Sequence, residues 1–405
     1  MASVDENASC PVVNFEFAPP PTPGKPFLPE LDDLRREYPV FRSNEGQGYW
    51  VFTRYDSISE ALQSPDLFSS TATVPTIPDP PYQWIPLMLD PPEHTKWRKL
   101  LSAWFSPGRV ASLEDTVRQR CSDLVDQVAD QGRCDFVADF ASQFPTTIFL
   151  QILGLPIVEL DKFMAWEEKI LHFDSAVDPD HSGMMEAMSE VTTYFGKLIE
   201  QRRTDASTRG DDIVSAAVEW KIDGEPIPDP ALMNCLLLLF MAGLDTVASQ
   251  LSYIFSHLAE SESDRARLLA DPDLIPDAVE ELLRAYAIVR VGRRVTKDAD
   301  FHGCSLKAGD MVSLPLAFAS RDEDVYEDAT LVDIDRGAFR NIAFGAGPHR
   351  CLGSHLARRE LVVAVEEWHR RIPDYRIPEG DSPVQHSGNG VYGFDRLSLE
   401  WDLHP

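Results

Sequence analysis

The sequence predicts a mainly α-helical domain with a minor β region, and three observations carry that expectation. From about residue 92 to 285 apolar residues recur at helical spacing, broken by Pro and Gly-Asp punctuation, as over 111–131, 186–203, 229–260 and 277–287. Residues 291–316 (VGRRVTKDADFHGCSLKAGDMVSLPL) alternate instead and carry turn signals, the mark of short strands and hairpins. Residues 352–371 (LGSHLARRELVVAVEEWHRR) return to a helical pattern. With no internal repeat and no long flexible linker, residues 1–405 read as one domain.

The remaining elements follow in chain order. Residues 1–30 are proline-rich (APPPTPGKPFLPE) and are expected to form an extended surface arm. Residues 48–53 (GYWVFT) carry the β-branched and aromatic alternation of a short strand. The most apolar run, CLLLLFMAGL at 235–244, is too short by itself to span a bilayer. The N-terminus lacks a basic-then-apolar secretory pattern, so a cytoplasmic protein is expected. Its six cysteines (10, 121, 134, 235, 304, 351) are expected to stay reduced, since no pair has disulfide-scaffold or zinc-ligand spacing. A balance of 37 basic against 66 acidic residues, net −29, argues against nucleic acid or an anionic membrane as a partner.

One short stretch concentrates the chemistry. Residues 344–353 read FGAGPHRCLG, a lone cysteine among three glycines, a proline, a histidine and an arginine. Cys351 could be a nucleophile served by His349 two residues away, or a small buried apolar residue. A zinc ligand would need companions at short spacing, and there are none. A single thiolate ligand to haem iron needs no second cysteine. It needs a loop that brings backbone close to the macrocycle and a helix N-terminus beside the sulfur, which a helix from Leu352 would supply.

The pattern F344-x-x-G347-x-H349-x-C351-x-G353 resembles, at every fixed position, the haem-binding signature of the cytochrome P-450 monooxygenases. The resemblance implies the P-450 fold, a triangular helical prism with haem b between the oxygen-binding helix and the helix after the cysteine loop. It makes Cys351 the axial ligand and Phe344, Gly345, His349 and Gly353 part of the cofactor site. AGLDT at 242–246 is similar to the oxygen-binding motif of that family. A glycine in mid-helix costs about 1 kcal/mol against alanine, Thr can bend the axis, and an acid in an apolar helix is expensive to bury. A widened helix is therefore expected, with Asp245 and Thr246 relaying protons to dioxygen. Glu281 and Arg284, in ELLR, match the family's E-x-x-R pair, and Arg336 matches the third, structural member. His94, Arg98, Arg293 and His349 match its propionate clamp, with Arg294 the alternative to Arg293 if the GRRVTKD register slips by one.

The similarity extends over nearly the whole chain, which resembles the bacterial camphor 5-monooxygenase branch. In that branch Tyr82 corresponds to a hydrogen-bond donor to substrate, and Trp84, Leu87, Leu238, Met241, Val289, Val291 and Val391 are expected to line an apolar pocket. Camphor itself fits poorly. Residues 69–81 read as short and without acids to hold a cation near Tyr82, position 291 is Val, and 169–178 lacks a restraining arginine. The loop at 387–394 is one residue longer. A compact monoterpenoid or norisoprenoid is the expected substrate. The chain has no flavin or nicotinamide fingerprint, so the resemblance implies an iron–sulfur ferredoxin and its NAD(P)H-dependent reductase as electron donors. Lys96, Lys99, Arg109, Arg350 and Arg358 are the expected docking face for that acidic partner. A peroxide-driven haem-thiolate enzyme or a non-catalytic haem sensor are the alternatives; the acid–Thr pair speaks against the first.

Overall fold

A computed structural model describes residues 10–17, 27–171, 178, 180–337, 340–388 and 390–403. Its centre is a single helix, Asp229–Glu260, thirty-two residues long. Pro near its first turn and Asp229 suit a helix start, because the early N–H groups need no partner there and the positive end favours an acid. By length and apolarity this helix could cross a membrane. Here it is a core helix, packed against helices Gln143–Leu153, Leu160–Leu171, Ser182–Thr204 and Ser354–Arg371 and against the hairpin strand Val391–Arg396. The expectation of a widened helix at 242–246 is not met: the α-helix runs unbroken through it. Gly243 is small for a different reason. A Cβ there would stand 2.4 Å from the Phe149 ring, so the missing side chain lets two helices close on each other.

The β region lies to one side. Six strands are ordered Val12–Val13, Val40–Ser43, Tyr49–Phe52, Met311–Pro315, Arg290–Val295, Phe68–Ser69. Strand Arg290–Val295 pairs antiparallel with Met311–Pro315, Arg293 opposite Val312 and Val291 opposite Leu314. A separate hairpin, Val384–Gly388 with Val391–Arg396, lies against the central helix. Its Val391 forms a bridge with Val289.

Two expectations about the N-terminal region are corrected. The arm is not extended throughout: Val12–Val13 joins the sheet in parallel with Val40–Ser43, and a helix begins at Phe27. Pro29 sits in that helix's first turn, where the ring costs no backbone hydrogen bond, so a proline-rich stretch can open a helix. Nor are all cysteines reduced, because Cys10 and Cys304 form a disulfide across 294 residues.

Candidate functional site

The cysteine loop folds as its glycines require. The Cys351 N–H donates to the Phe344 carbonyl at 2.8 Å, and the Gly345 N–H to Ile342 at 2.7 Å, closing the loop on itself. Gly347 has φ +67°, in the region L side chains rarely enter. A Cβ there would also lie 2.3 Å from the Leu62 carbonyl oxygen, so the loop's back rests directly on helix Tyr55–Gln63. Gly353 caps helix Ser354–Arg371, and its N–H is directed at the Cys351 sulfur. The helix starts two residues later than Leu352, with its positive end still at the thiol.

Cys351 is exposed, whereas Cys121, Cys134 and Cys235 are buried. Its side chain is accessible although protein surrounds it, as expected of a residue facing an internal cofactor space. Surrounding protein desolvates the thiol and pushes its pKa up, against the Gly353 N–H and the charges of Arg98, Arg350 and Arg358. Those counter-effects all favour a thiolate, which a metal cation would complete. No group of three or more His, Cys, Asp or Glu among the described residues could hold a metal ion. Phe344 backs the loop, with the Arg358 guanidinium 4.5 Å over its ring.

Beside this space the four clamp candidates come together. His94 and His349 stack with ring centroids 4.0 Å apart. Burial, then the Arg98 guanidinium, holds His94 down to about 4; burial, then Arg293 and His94, holds His349 down to about 3. Arg293 is 2 % exposed and its guanidinium donates to the Gly292 carbonyl at 2.7 Å, with burial lowering its pKa to about 10. Arg98 donates to the Arg350 carbonyl at 2.8 Å. None of the four forms an ion pair among the described residues, and the Nε2 of His349 is buried with no partner. Guanidinium groups this desolvated require an anion, and the two neutral imidazoles can offer it N–H donors. The two carboxylates of haem b fit that need, as the accessible thiol fits its iron. Strand alternation separates the two arginine candidates. Arg294 is ion-paired to Asp79 at 3.1 Å, away from the histidines.

On the central helix, residues 238, 242 and 246 follow one face at four-residue spacing. Ala242 is exposed and Leu238 and Thr246 half-buried, while their neighbours are mostly buried. This is the face open to the interior space. The Thr246 Oγ1 donates to the Ala242 carbonyl at 3.1 Å. Asp245, 8 % exposed, accepts a hydrogen bond from Ser249 Oγ at 3.1 Å.

The structural triad is complete. Glu281 receives Arg284 Nε and Nη2 at 2.8 and 2.7 Å and Arg336 Nε at 3.0 Å. Arg284 also donates to the carbonyls of Ser320, Ala329 and Leu331. The segment leading to the cysteine loop is thereby tied to helix Ile275–Ala285.

Of the pocket candidates, Trp84, Leu87, Leu238, Val289, Val291 and Val391 are half-buried on interior elements, and Met241 is buried. Tyr82 stacks on Trp84, centroids 4.8 Å apart, and lines a side cleft of about 360 Å³ with Thr71, Met88, Asp79 and Arg294. Residues 69–81 thus do carry an acid beside Tyr82, contrary to expectation, and Arg294 neutralises it. The arginine expected to be missing from 169–178 concerns residues largely outside those described. Among the docking candidates Lys99 and Arg350 are exposed. Lys96 pairs with Glu93 and Asp223, Arg109 with Asp211, and Arg358 with Glu280. Sequence reasoning passed over Ser249, although its position one turn beyond Asp245 was readable, and Asp90, whose carboxylate fixes the Ser70 N–H at 2.8 Å.

Comparison with known proteins agrees with this geometry. The family model described as Cytochrome P450 matches residues 22–275 and 262–368. The steroid C26-monooxygenase of Mycolicibacterium smegmatis is 34% identical over 358 residues, 87% of this chain and 86% of the relative. The methyl-branched lipid omega-hydroxylase of Mycobacterium tuberculosis is 31% identical over 88% of this chain and 85% of its own. The crystal structure of CYP101J2 superposes with a TM-score of 0.87 at 31% identity, covering 100% of both chains. That of CYP101C1 gives 0.86 at 28% identity, covering 97% of this chain and 98% of the other. The chain belongs to the cytochrome P450 family, is a monooxygenase, and takes haem b as its cofactor.

Proposed function

We propose that this monooxygenase hydroxylates a compact apolar molecule of monoterpenoid or norisoprenoid size, with electrons from an iron–sulfur ferredoxin, in the cytoplasm. One observation supports the substrate class: apolar side chains in four segments, Trp84 and Leu87, Leu238, Val289 and Val291, and Val391, are each half-buried rather than packed away, as the lining of an apolar pocket would be. The segment at 71–75 is pressed onto the strand bearing Val291. The Gly292 N–H donates to Thr73 O at 2.9 Å, and a Gly292 Cβ would meet that oxygen at 2.4 Å. Selection in this reading is mainly by shape.

In this reading Cys351 holds the haem iron, and His94, Arg98, Arg293 and His349 bind its carboxylates. Haem so held supplies reductive activation of dioxygen and insertion of one oxygen atom into a C–H bond. The apolar wall orients the substrate and excludes water. Asp245 holds a proton at its carboxyl, and Thr246 presents its hydroxyl oxygen toward the open face, because its own proton is engaged by the Ala242 carbonyl. Lys99 and Arg350, the exposed cations, lead the face offered to an acidic ferredoxin.

A second reading comes from the relatives whose names specify steroid or branched-lipid oxidation. Titrating the ferric protein with monoterpenoids, norisoprenoids, a sterol and a methyl-branched fatty acid separates the two by spin state. The proposal expects a high-spin shift with the compact molecules. A shift with only the long lipids overturns it.

A further inference from the structure

Behind Asp245, on the side away from Thr246, a line of polar side chains runs toward the surface. Ser249, 3 % exposed, donates through Oγ to Asp245 Oδ1 at 3.1 Å. Opposite Ser249 on the packed hairpin is Gly393, paired in register with His386. A Cβ on Gly393 would stand 2.6 Å from Ser249 Oγ and 2.4 Å from His386 Nε2. Two polar atoms from different elements therefore face one point that only a glycine leaves open. The two atoms are close enough for one bridging water to span the gap. On its far side His386 Nδ1 meets Asp395 Oδ1 at 2.8 Å. The His386 side chain is 11% exposed and that of Asp395 45%, so the line ends in solvent.

We propose that Ser249, His386 and Asp395 form a proton conduit that recharges Asp245 from bulk water. The proposal rests on the role given above to Asp245 and Thr246. A solvent proton reaches His386 Nδ1 by way of Asp395. The imidazole releases its Nε2 proton toward Ser249 Oγ, and the Ser249 hydroxyl proton passes to Asp245 Oδ1. One proton moves from water to Asp245 and no electron moves; Ser249 keeps the proton received from Nε2, and the imidazole, left protonated at Nδ1, returns to its Nε2–H form by tautomer exchange through water. Imidazole suits this position because it can carry a proton on either nitrogen. Among the described residues, the charged and titratable groups on elements packed around it include Asp395 and Tyr392 on its own hairpin, Asp245 and Tyr253 on the central helix, and Arg290. The Arg290 guanidinium donates to Ser387 Oγ at 2.6 Å and lies 4.2 Å from the Tyr392 ring. Ser249, His386 and Asp395 are positioning residues; none touches substrate.

The test follows the His386 ring by NMR titration in the diamagnetic ferrous carbonyl complex. Asp245→Asn should move the imidazole pKa by about half a unit, a roughly threefold change in proton affinity. If the conduit exists, the same substitution should have no such effect in a Ser249→Ala background. A shift that persists in that background reports bare electrostatics across space and overturns the conduit, as does no shift at all. In turnover, His386→Gln and Asp395→Asn should each lower kcat about tenfold with a larger solvent deuterium isotope effect. That is less than the roughly hundredfold or more expected of a direct general acid. Spin-state titration by substrate should be unchanged. If Asp245→Asn leaves kcat intact, the reading of Asp245 itself fails. If Asp245→Asn slows turnover while His386→Gln and Asp395→Asn do not, only the conduit fails.

Discussion

Replacing Glu281 with glutamine tests whether the buried triad holds the haem loop in place. The carboxylate is 1 % exposed and accepts from four N–H donors: Arg284 Nε and Nη2, the Arg336 Nε, which is shared between both oxygens, and the Asp333 backbone. Glu281→Gln keeps the shape and one acceptor but turns an NH2 toward a guanidinium. Two cationic groups then share a buried site with no anion. Removing one partner of a buried ion pair costs about 3–5 kcal/mol. Arg284 still reaches the carbonyls of Ser320, Ala329 and Leu331, so its donors remain partly satisfied and the lower bound applies. The expected loss is about 3 kcal/mol, read as unfolding free energy from urea titration. Haem should be released at lower urea than in the parent protein, because the same arginines tie down the segment before Cys351. A double-mutant cycle with Arg336→Met should give a coupling of about 1.5–3 kcal/mol for the charge-assisted bonds. A loss under about 0.5 kcal/mol, the range of an ordinary surface change, refutes the reasoning.

Three further outcomes are expected. Gly347→Ala should lose haem on purification, since left-handed backbone costs about 1–2 kcal/mol and the new Cβ strikes the Leu62 carbonyl. Gly345→Ala, with φ +69° and nothing within 4 Å, should show only the backbone cost, and equal haem content in the two variants would contradict the close approach. Lys99→Glu should raise the ferredoxin KM about threefold or more at low salt and leave substrate binding alone; an unchanged KM removes Lys99 from the docking face. With respect to pH, His94 and His349 are neutral in the fold but protonate below 6.5 when unfolded. Haem-free protein should therefore lose stability as pH falls from 6.5 toward about 4, and haem, whose carboxylates favour the protonated rings, should lessen that loss. Urea midpoints across that window check it, and a flat profile in the haem-free protein would contradict the burial of the two imidazoles.

What was readable in the sequence was chiefly local. The central helix matches the expected 229–260 because apolar periodicity, Pro near the start and a polar exit are written in consecutive residues. The cysteine loop was readable because glycine at 347 answers a positive φ and a backbone contact at one position. The choice between Arg293 and Arg294 was not, since it depends on which strand face meets His94 and His349. Partners distant in sequence were equally hidden. Asp223 reaches Lys96, Asp211 reaches Arg109 and Glu280 reaches Arg358, so three apparently free cations are paired. The Cys10–Cys304 bond and the meeting of Ser249 with His386 at Gly393 likewise require the folded chain. Gly243 shows a residue correctly singled out for a reason the fold corrects: it admits the Phe149 ring.

The account stands on a thiolate bond from Cys351 to haem iron. The most direct measurement is the absorbance of the purified protein, reduced and saturated with carbon monoxide. Thiolate ligation predicts a Soret band displaced to long wavelength, lost in Cys351→His with haem retained. An undisplaced band in the parent protein, or a displaced one surviving in Cys351→His, would contradict it.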